Sequence, residues 1–200
     1  MAGTFPTTIA PRALNFSSNR PTNTSYTLSG KRSTKLFASQ YFSFTITMPL
    51  MTQAQFQEYH AFLVKQKGSF ETFDIDYPLD NQGAGKANTS VLTREAHSIG
   101  DSTIAVDGIS ASQDDALKAG DLIKFSGHNK VYMVTADVNA NGLGQSTISI
   151  EPPLQATLAD DESVDMNRPT FKVALMQDDI LYSTDASGLF SLSFEVREIL

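Results

Sequence analysis

Residues whose chemistry is worth weighing are few and scattered. Three histidines, His60, His97 and His128, are the only imidazoles in the 200-residue chain. The chain has no cysteine, so thiolate nucleophiles, disulfides and Cys-ligated zinc are excluded, and the redox compartment cannot be inferred. No HExxH, GxSxG, Walker A or GxGxxG pattern occurs. His60 follows Tyr59 on the flank of a predicted helix and reads as a surface or partly buried side chain. His97 reads the same way, with no second ligand at metal spacing.

Carboxylates come in pairs at Asp74/Asp76, Asp114/Asp115, Asp160/Asp161 and Asp178/Asp179. An acid–base pair works when its two environments drive the pKa values apart. Three of these pairs are adjacent residues in loop-like contexts where water levels them. Asp74 and Asp76 share a strand face and could line a cleft, although an exposed polar face has the same pattern.

The strongest metal-like pattern is DVNANG, residues 137–142, with Asp137, Asn139 and Asn141 alternating before Gly142. A calcium loop of this type requires a bidentate Glu at its twelfth position, and Ile148 stands there. Asn141-Gly142 between two alternating runs is instead a hairpin signal, because both residues tolerate positive φ. The stretch AGDLIKFSGHNKVYMVTADV, residues 119–138, clusters Asp121, His128, Lys130, Tyr132 and Asp137 around two glycines. It predicts two strands joined by a turn at residues 126–129. Gly127 supplies positive φ there and Asn129 can follow it. Asp121 holds the preceding turn, and His128 sits at an exposed tip.

Several elements must position these residues. Phe42, Phe44, Ile46 and Met48 alternate with Ser43, Thr45 and Thr47, which predicts a half-buried strand over residues 41–48. Thr52 and Gln55 form a capping-box pattern, and Phe56, Tyr59 and Leu63 recur at helical spacing. One amphipathic helix is therefore predicted over residues 53–67, with Gly68 as its terminator. Phe73, Ile75 and Tyr77 form the next strand, stopped by Pro78. Phe190, Leu192, Phe194 and Val196 alternate with polar residues in a C-terminal strand. Its best partners are residues 41–48 and 171–175, which share its half-buried character.

Between these ends the texture changes. LDNQGAGKANTS, residues 79–90, reads as a linker, and MNRP, residues 166–169, marks the return. Short β-like runs such as STIAVDG, DLIKF, KVYMVTADV and STISIEPPL fill the interval, which predicts a small barrel or sandwich. The expected fold is mainly β. It has a β-barrel or sandwich core with one helix, built from residues 1–87 and 168–200, and an inserted small β-barrel-like domain over residues 88–167.

A formal net charge of −7 argues against specific nucleic-acid binding. The densest basic stretch, SGKRSTK, holds Lys31, Arg32 and Lys35 and reads as a solvated loop. The N-terminus lacks the apolar core of a signal peptide, and no run approaches the roughly 18 apolar residues of a membrane span. A soluble protein made in the cytoplasm is expected.

The order of elements resembles that of the tail-tip and distal-tail (tail hub) structural proteins of tailed bacteriophages and related gene transfer agents. The residues that carry the resemblance are YFSFTITMPLMT, the helix QAQFQEYHAFLVKQKG and SFETFDIDYP, with Phe62, Gly68, Phe70, Phe73 and Asp76 in the family's aromatic, glycine and acidic positions. The inserted segment resembles a small β-module of phage structural proteins through residues 119–138, Gly144, Ile148, Ile150 and residues 152–154. The resemblance implies a homo-oligomeric ring, hexamer or trimer, in the virion tail, assembled in the host cytoplasm and contacting the tail tube protein and the tail-tip or hub proteins. It implies no catalytic residue, no cofactor and no metal. Neutral Ser/Thr faces on the predicted strands suit coverage by a neighbouring subunit, and the acidic balance suits a lumen along which DNA slides. The alternative is a host-surface carbohydrate- or receptor-binding module, with Tyr132 or Phe125 as the contact.

Overall fold

In the computed structural model, residues 3–36, 39–76, 84–87 and 90–200 are described. Residues 79–83 and 88–89 of the expected linker, and Tyr77 and Pro78 before it, lie outside them. The elements in chain order are β1 (Ala13–Asn19), β2 (Thr22–Tyr26), β3 (Arg32–Leu36), β4 (Tyr41–Thr47), α1 (Gln53–Lys65) and β5 (Phe73–Asp76). There follow β6 (Val91–Thr93), β7 (Thr103–Asp107), β8 (Leu122–Phe125), β9 (Val131–Val134), β10 (Ser146–Glu151) and β11 (Ser163–Asp165). The chain closes with β12 (Thr170–Leu175), β13 (Tyr182–Thr184) and β14 (Phe190–Glu198). The fold is thus mainly β, with one helix among the described residues. The chain divides into two compact units, Met1–Phe73 with Val173–Ile199, and Asp74–Lys172 with Leu200.

The first unit is organised by one sheet, in the order β1-β4-β14-β12-β5, with β13 paired to β14 off that path. The C-terminal strand takes both partners that its pattern demanded: Phe194 lies opposite Ile46 and Val196 opposite Phe44, while Leu175 lies opposite Val196 on the other side. Period-2 alternation forces this register, because a one-residue slip would turn Phe42, Phe44 and Ile46 to solvent. All three are now buried.

Helix α1 begins where the capping pattern placed it. The Thr52 backbone N–H and hydroxyl both donate to Gln55 Oε1, at 3.0 Å each. Phe56, Tyr59 and Leu63 form its buried stripe. The α-helix stops at Lys65, short of residue 67, because Lys67 and Gly68 adopt φ of 56° and 66°. Gly68 meets a second requirement there, since a Cβ would lie 2.8 Å from Asp178 Oδ1 and 3.0 Å from the Asp178 Cα. Asp178 Oδ1 accepts from the Ser69 N–H and hydroxyl, tying the loop before β13 to the helix end.

An N-terminal strap completes this core. Phe5 is buried against Tyr59, Phe62, Phe73 and Phe194, with ring centroids 5.4–6.4 Å apart. The Tyr59 hydroxyl accepts from the Ile9 N–H at 2.6 Å and donates to the Ile9 carbonyl at 3.3 Å. Burial raises the Tyr59 phenol above its ordinary pKa, so it stays a neutral donor.

The second unit contains a closed barrel, β10-β7-β6-β11-β8-β9. The two similar runs STIAV and STISI are neighbours in it: Ile104 lies opposite Ile148 and Val106 opposite Ser146. Ile104, Val106, Ile123, Phe125, Tyr132, Val134, Ile148 and Ile150 fill the interior. Six short strands closed on themselves remove the free edges that a small open sheet would expose.

Candidate interaction surfaces

The polar residues of the barrel resolve into turn supports. Asp121 is buried, and its carboxylate accepts three backbone N–H groups: Ala84 at 2.7 Å, Gly85 at 3.0 Å and Lys118 at 2.8 Å. Beyond holding the preceding turn, it fastens the strap 84–87 to the barrel. Lys86 N–H and Ala87 N–H donate to the carbonyls of Asp115 and Ala116. A Cβ on Gly85 would come within 2.4 Å of the Ala116 oxygen, so only glycine permits this approach.

The expected exposed tip at His128 is corrected. The turn at residues 126–129 forms with Gly127 at φ 78°, but Asn129 does not follow it into positive φ. The His128 ring is buried, because the loop after β10 folds over it. Nε2 donates to the Thr157 carbonyl at 3.2 Å, and in that tautomer Nδ1 accepts from the Tyr132 hydroxyl at 3.2 Å. The Gln155 N–H in turn donates to the Tyr132 oxygen at 3.2 Å.

The calcium-like alternation has a similar explanation. Asp137 Oδ1 accepts from the Ala119 N–H, Asn139 Oδ1 from the Asp115 N–H, and Asn141 Oδ1 from the N–H groups of Leu143 and Gln145. The oxygens at these three positions clamp backbone. The predicted Asn141-Gly142 hairpin is also corrected: the positive φ falls on Gly144, whose Cβ would lie 2.2 Å from the Ile109 oxygen. The connection from β9 to β10 is therefore a longer, clamped loop. Lys118 reaches both Asp115 and Asp137, which raises its own pKa; Lys118 and then Lys86 hold Asp115 below its ordinary pKa, and the Ala119 N–H and then Lys118 do the same for Asp137.

The remaining candidates stay apart. His60 is half-buried and stacks on Phe56 at 5.0 Å. His97 does have a carboxylate nearby, Asp101 at 3.7 Å, but its Nε2 accepts the Ala105 N–H at 3.1 Å and so serves the barrel backbone. Asp76 accepts from the Thr170 hydroxyl, Asp160 from the Asp161 N–H and Asp178 from Ser69. Among the described residues no three His, Asp or Glu side chains gather as a metal site. Phe125 and Tyr132, the aromatics considered for sugar stacking, are fully buried in the barrel core.

What the molecule does present is surface of unusual texture in the first unit. β2 and β3 pair through five rungs, Thr22↔Leu36 to Tyr26↔Arg32, and form a separate two-stranded ribbon. The segment SGKRSTK is thus largely a strand, where a loop was expected. The alternation of Arg32, Thr34 and Leu36 with Ser33 and Lys35 carries no consistent apolar face, so periodicity gave no signal. No ribbon residue is buried, and Tyr26, Leu28 and Leu36 are 70%, 112% and 55% exposed.

A second surface is the outer face of β1, β4 and β14. Asn15, Ser17, Ser43, Thr45 and Glu195 line a shallow depression of about 180 Å³ there. Ser17, Asn19 and Ser43 are linked by hydrogen bonds of 2.8–3.1 Å, and Arg197 lies 3.7 Å over the Tyr41 ring. These side chains are small and mostly uncharged. A third is the edge of β13, whose residues are all exposed and which pairs with β14 alone among the described residues.

Residues 84–168 match the family model described as the B domain of distal tail protein pb9. The matched span begins at the first residue held by Asp121 and ends after β11, so it contains all six barrel strands. The whole chain is 28% identical over 174 residues to the distal tail protein pb9 of Escherichia phage T5, covering 86% of this chain and 83% of that one. The chain is similar to a phage distal tail protein over most of its length. Its similarity to pb9 extends well beyond the barrel into the first unit, and it supports a structural role in a phage tail.

Proposed function

We propose that this distal-tail relative is a ring subunit that joins the tail tube to the tail tip or baseplate of a virion. The observation that carries the reading is the β2–β3 ribbon. A two-stranded ribbon is marginal in water without a third element or a packed face, and this one buries no side chain in its own chain. A neighbour supplies the missing contact. The small, neutral outer face of β1, β4 and β14 suits the same use, because covering it strands little charge.

In this reading residues 1–87 and 168–200 build the ring, in hexameric or trimeric form, and residues 88–167 are an inserted domain. The contacts are other copies, the tail tube protein and the tip or hub proteins, with assembly in the host cytoplasm. The protein acts by fitting and not by turnover. DNA passes through without a specific site. Native mass spectrometry with particle imaging tests the ring: closed rings of three or six copies are expected, and a monomer at every concentration and salt overturns it.

A further inference from the structure

Charge is divided along this chain in an unusual way. The first 57 residues contain Arg12, Arg20, Lys31, Arg32 and Lys35 and no Asp or Glu, so all 22 carboxylate side chains lie after them. Three of those cations, Lys31, Arg32 and Lys35, sit on or beside β3, exposed and without an ion-pair partner among the described residues. Beside them on the ribbon are the exposed apolar side chains Tyr26, Leu28 and Leu36. A second copy carries the complement. The loop and edge strand at residues 176–185 hold Asp178, Asp179 and Asp185 with no basic residue, next to Leu181 and Tyr182 at 69% and 51% exposure.

Resting on the ring reading above, we infer that the ribbon of one subunit docks on the β13 edge of the next, extending its sheet. Backbone N–H and C=O groups on the open side of β13 pair with a ribbon strand, as in recognition by strand addition. Lys31, Arg32 and Lys35 face the acidic segment, and Tyr26 and Leu28 cover Leu181 and Tyr182. The two surfaces differ, so the contact is head-to-tail and closes into a ring when the rotation permits. Asp179 is the carboxylate left for the partner, since Asp178 is held by Ser69 and Asp185 caps the β13–β14 turn through the N–H groups of Ser187 and Leu189.

The absence of cysteine makes the test direct. Thr34→Cys and Thr184→Cys subunits are prepared separately, their fold checked by circular dichroism, and then mixed and treated with a short bismaleimide. The mixture is expected to give a covalent dimer that neither variant gives alone, and the double variant a ladder ending at the ring number found by native mass spectrometry. Arg32→Glu with Lys35→Glu is expected to weaken assembly about 10-fold or more and steepen no salt dependence, with partial rescue by Asp179→Lys in the neighbour. Rings that form normally without a 34–184 cross-link overturn the ribbon docking and leave the ring reading intact. Cross-linking of residue 34 within one chain, or to another tail protein only, also overturns it. Absence of any oligomer overturns both.

Discussion

At the scale of single residues, the polar atoms that resembled a site are committed to backbone. Asp121 is the clearest case: replacing it by Ala leaves three N–H donors of the strap and turn without their acceptor. Asp121→Ala is expected to destabilise the barrel by about 2–4 kcal/mol, read as a lowered Tm of the intact protein. Glycines give a comparison of strain with space. Gly68→Ala suffers both a positive φ and a contact with Asp178, whereas Gly127→Ala meets a positive φ of 78° with nothing within 4 Å of the added carbon. The first substitution is expected to cost about 2–3 kcal/mol and the second about 1 kcal/mol, measured by denaturant unfolding. Asp178 also predicts a pH effect. The Ser69 hydroxyl, then its N–H, lower the Asp178 pKa below its ordinary value of 3.8. A carboxylate depressed on folding contributes stability that is full above the unfolded pKa and is lost as pH falls through the lower folded value. Acid titration below about pH 4 should therefore loosen the β13 loop, and Asp178→Asn should remove that part of the pH dependence in a Tm-against-pH series.

Elements differ in how plainly they were written. β4, α1 and β14 each carry one apolar stripe at the right period, and both strand partners of β14 followed from shared half-burial. The barrel strands were visible as short runs with turn signals. Three features were not. Phe5 stands in a segment without periodicity, and its burial depends on Tyr59, Phe73 and Phe194 arriving from distant positions. The β2–β3 ribbon has no buried face, and burial contrast is what makes a strand legible. His128 looked like a turn tip because the covering loop at residues 152–158 is far along the chain. The same facts predict opposite mutational responses. Phe5→Ala should cost about 3–5 kcal/mol, through lost aromatic contacts and a cavity, in equilibrium unfolding. Replacing residues 22–36 with a short Gly-Ser turn should leave the thermal unfolding of the monomer within about 2 °C of the parent, because none of these residues is buried.

For the whole molecule, the division into two compact units implies that the barrel can be studied by itself. Residues 84–168 include the strap, the Asp121 cradle and all six strands. Expressed alone, that span should unfold cooperatively, whereas a version starting at residue 88 should be less stable for want of the strap; calorimetry on both checks this. The distribution of constraint then has a consequence for how such a protein changes over generations. Most of the chain is held by packing, so its substitutions are taxed by folding. The ribbon owes nothing to its own core, and so it can drift at the pace of whatever surface it meets. Within related particles its residues should vary together with those of the contact across the joint, while the strap and the aromatic cluster around Phe5 stay fixed.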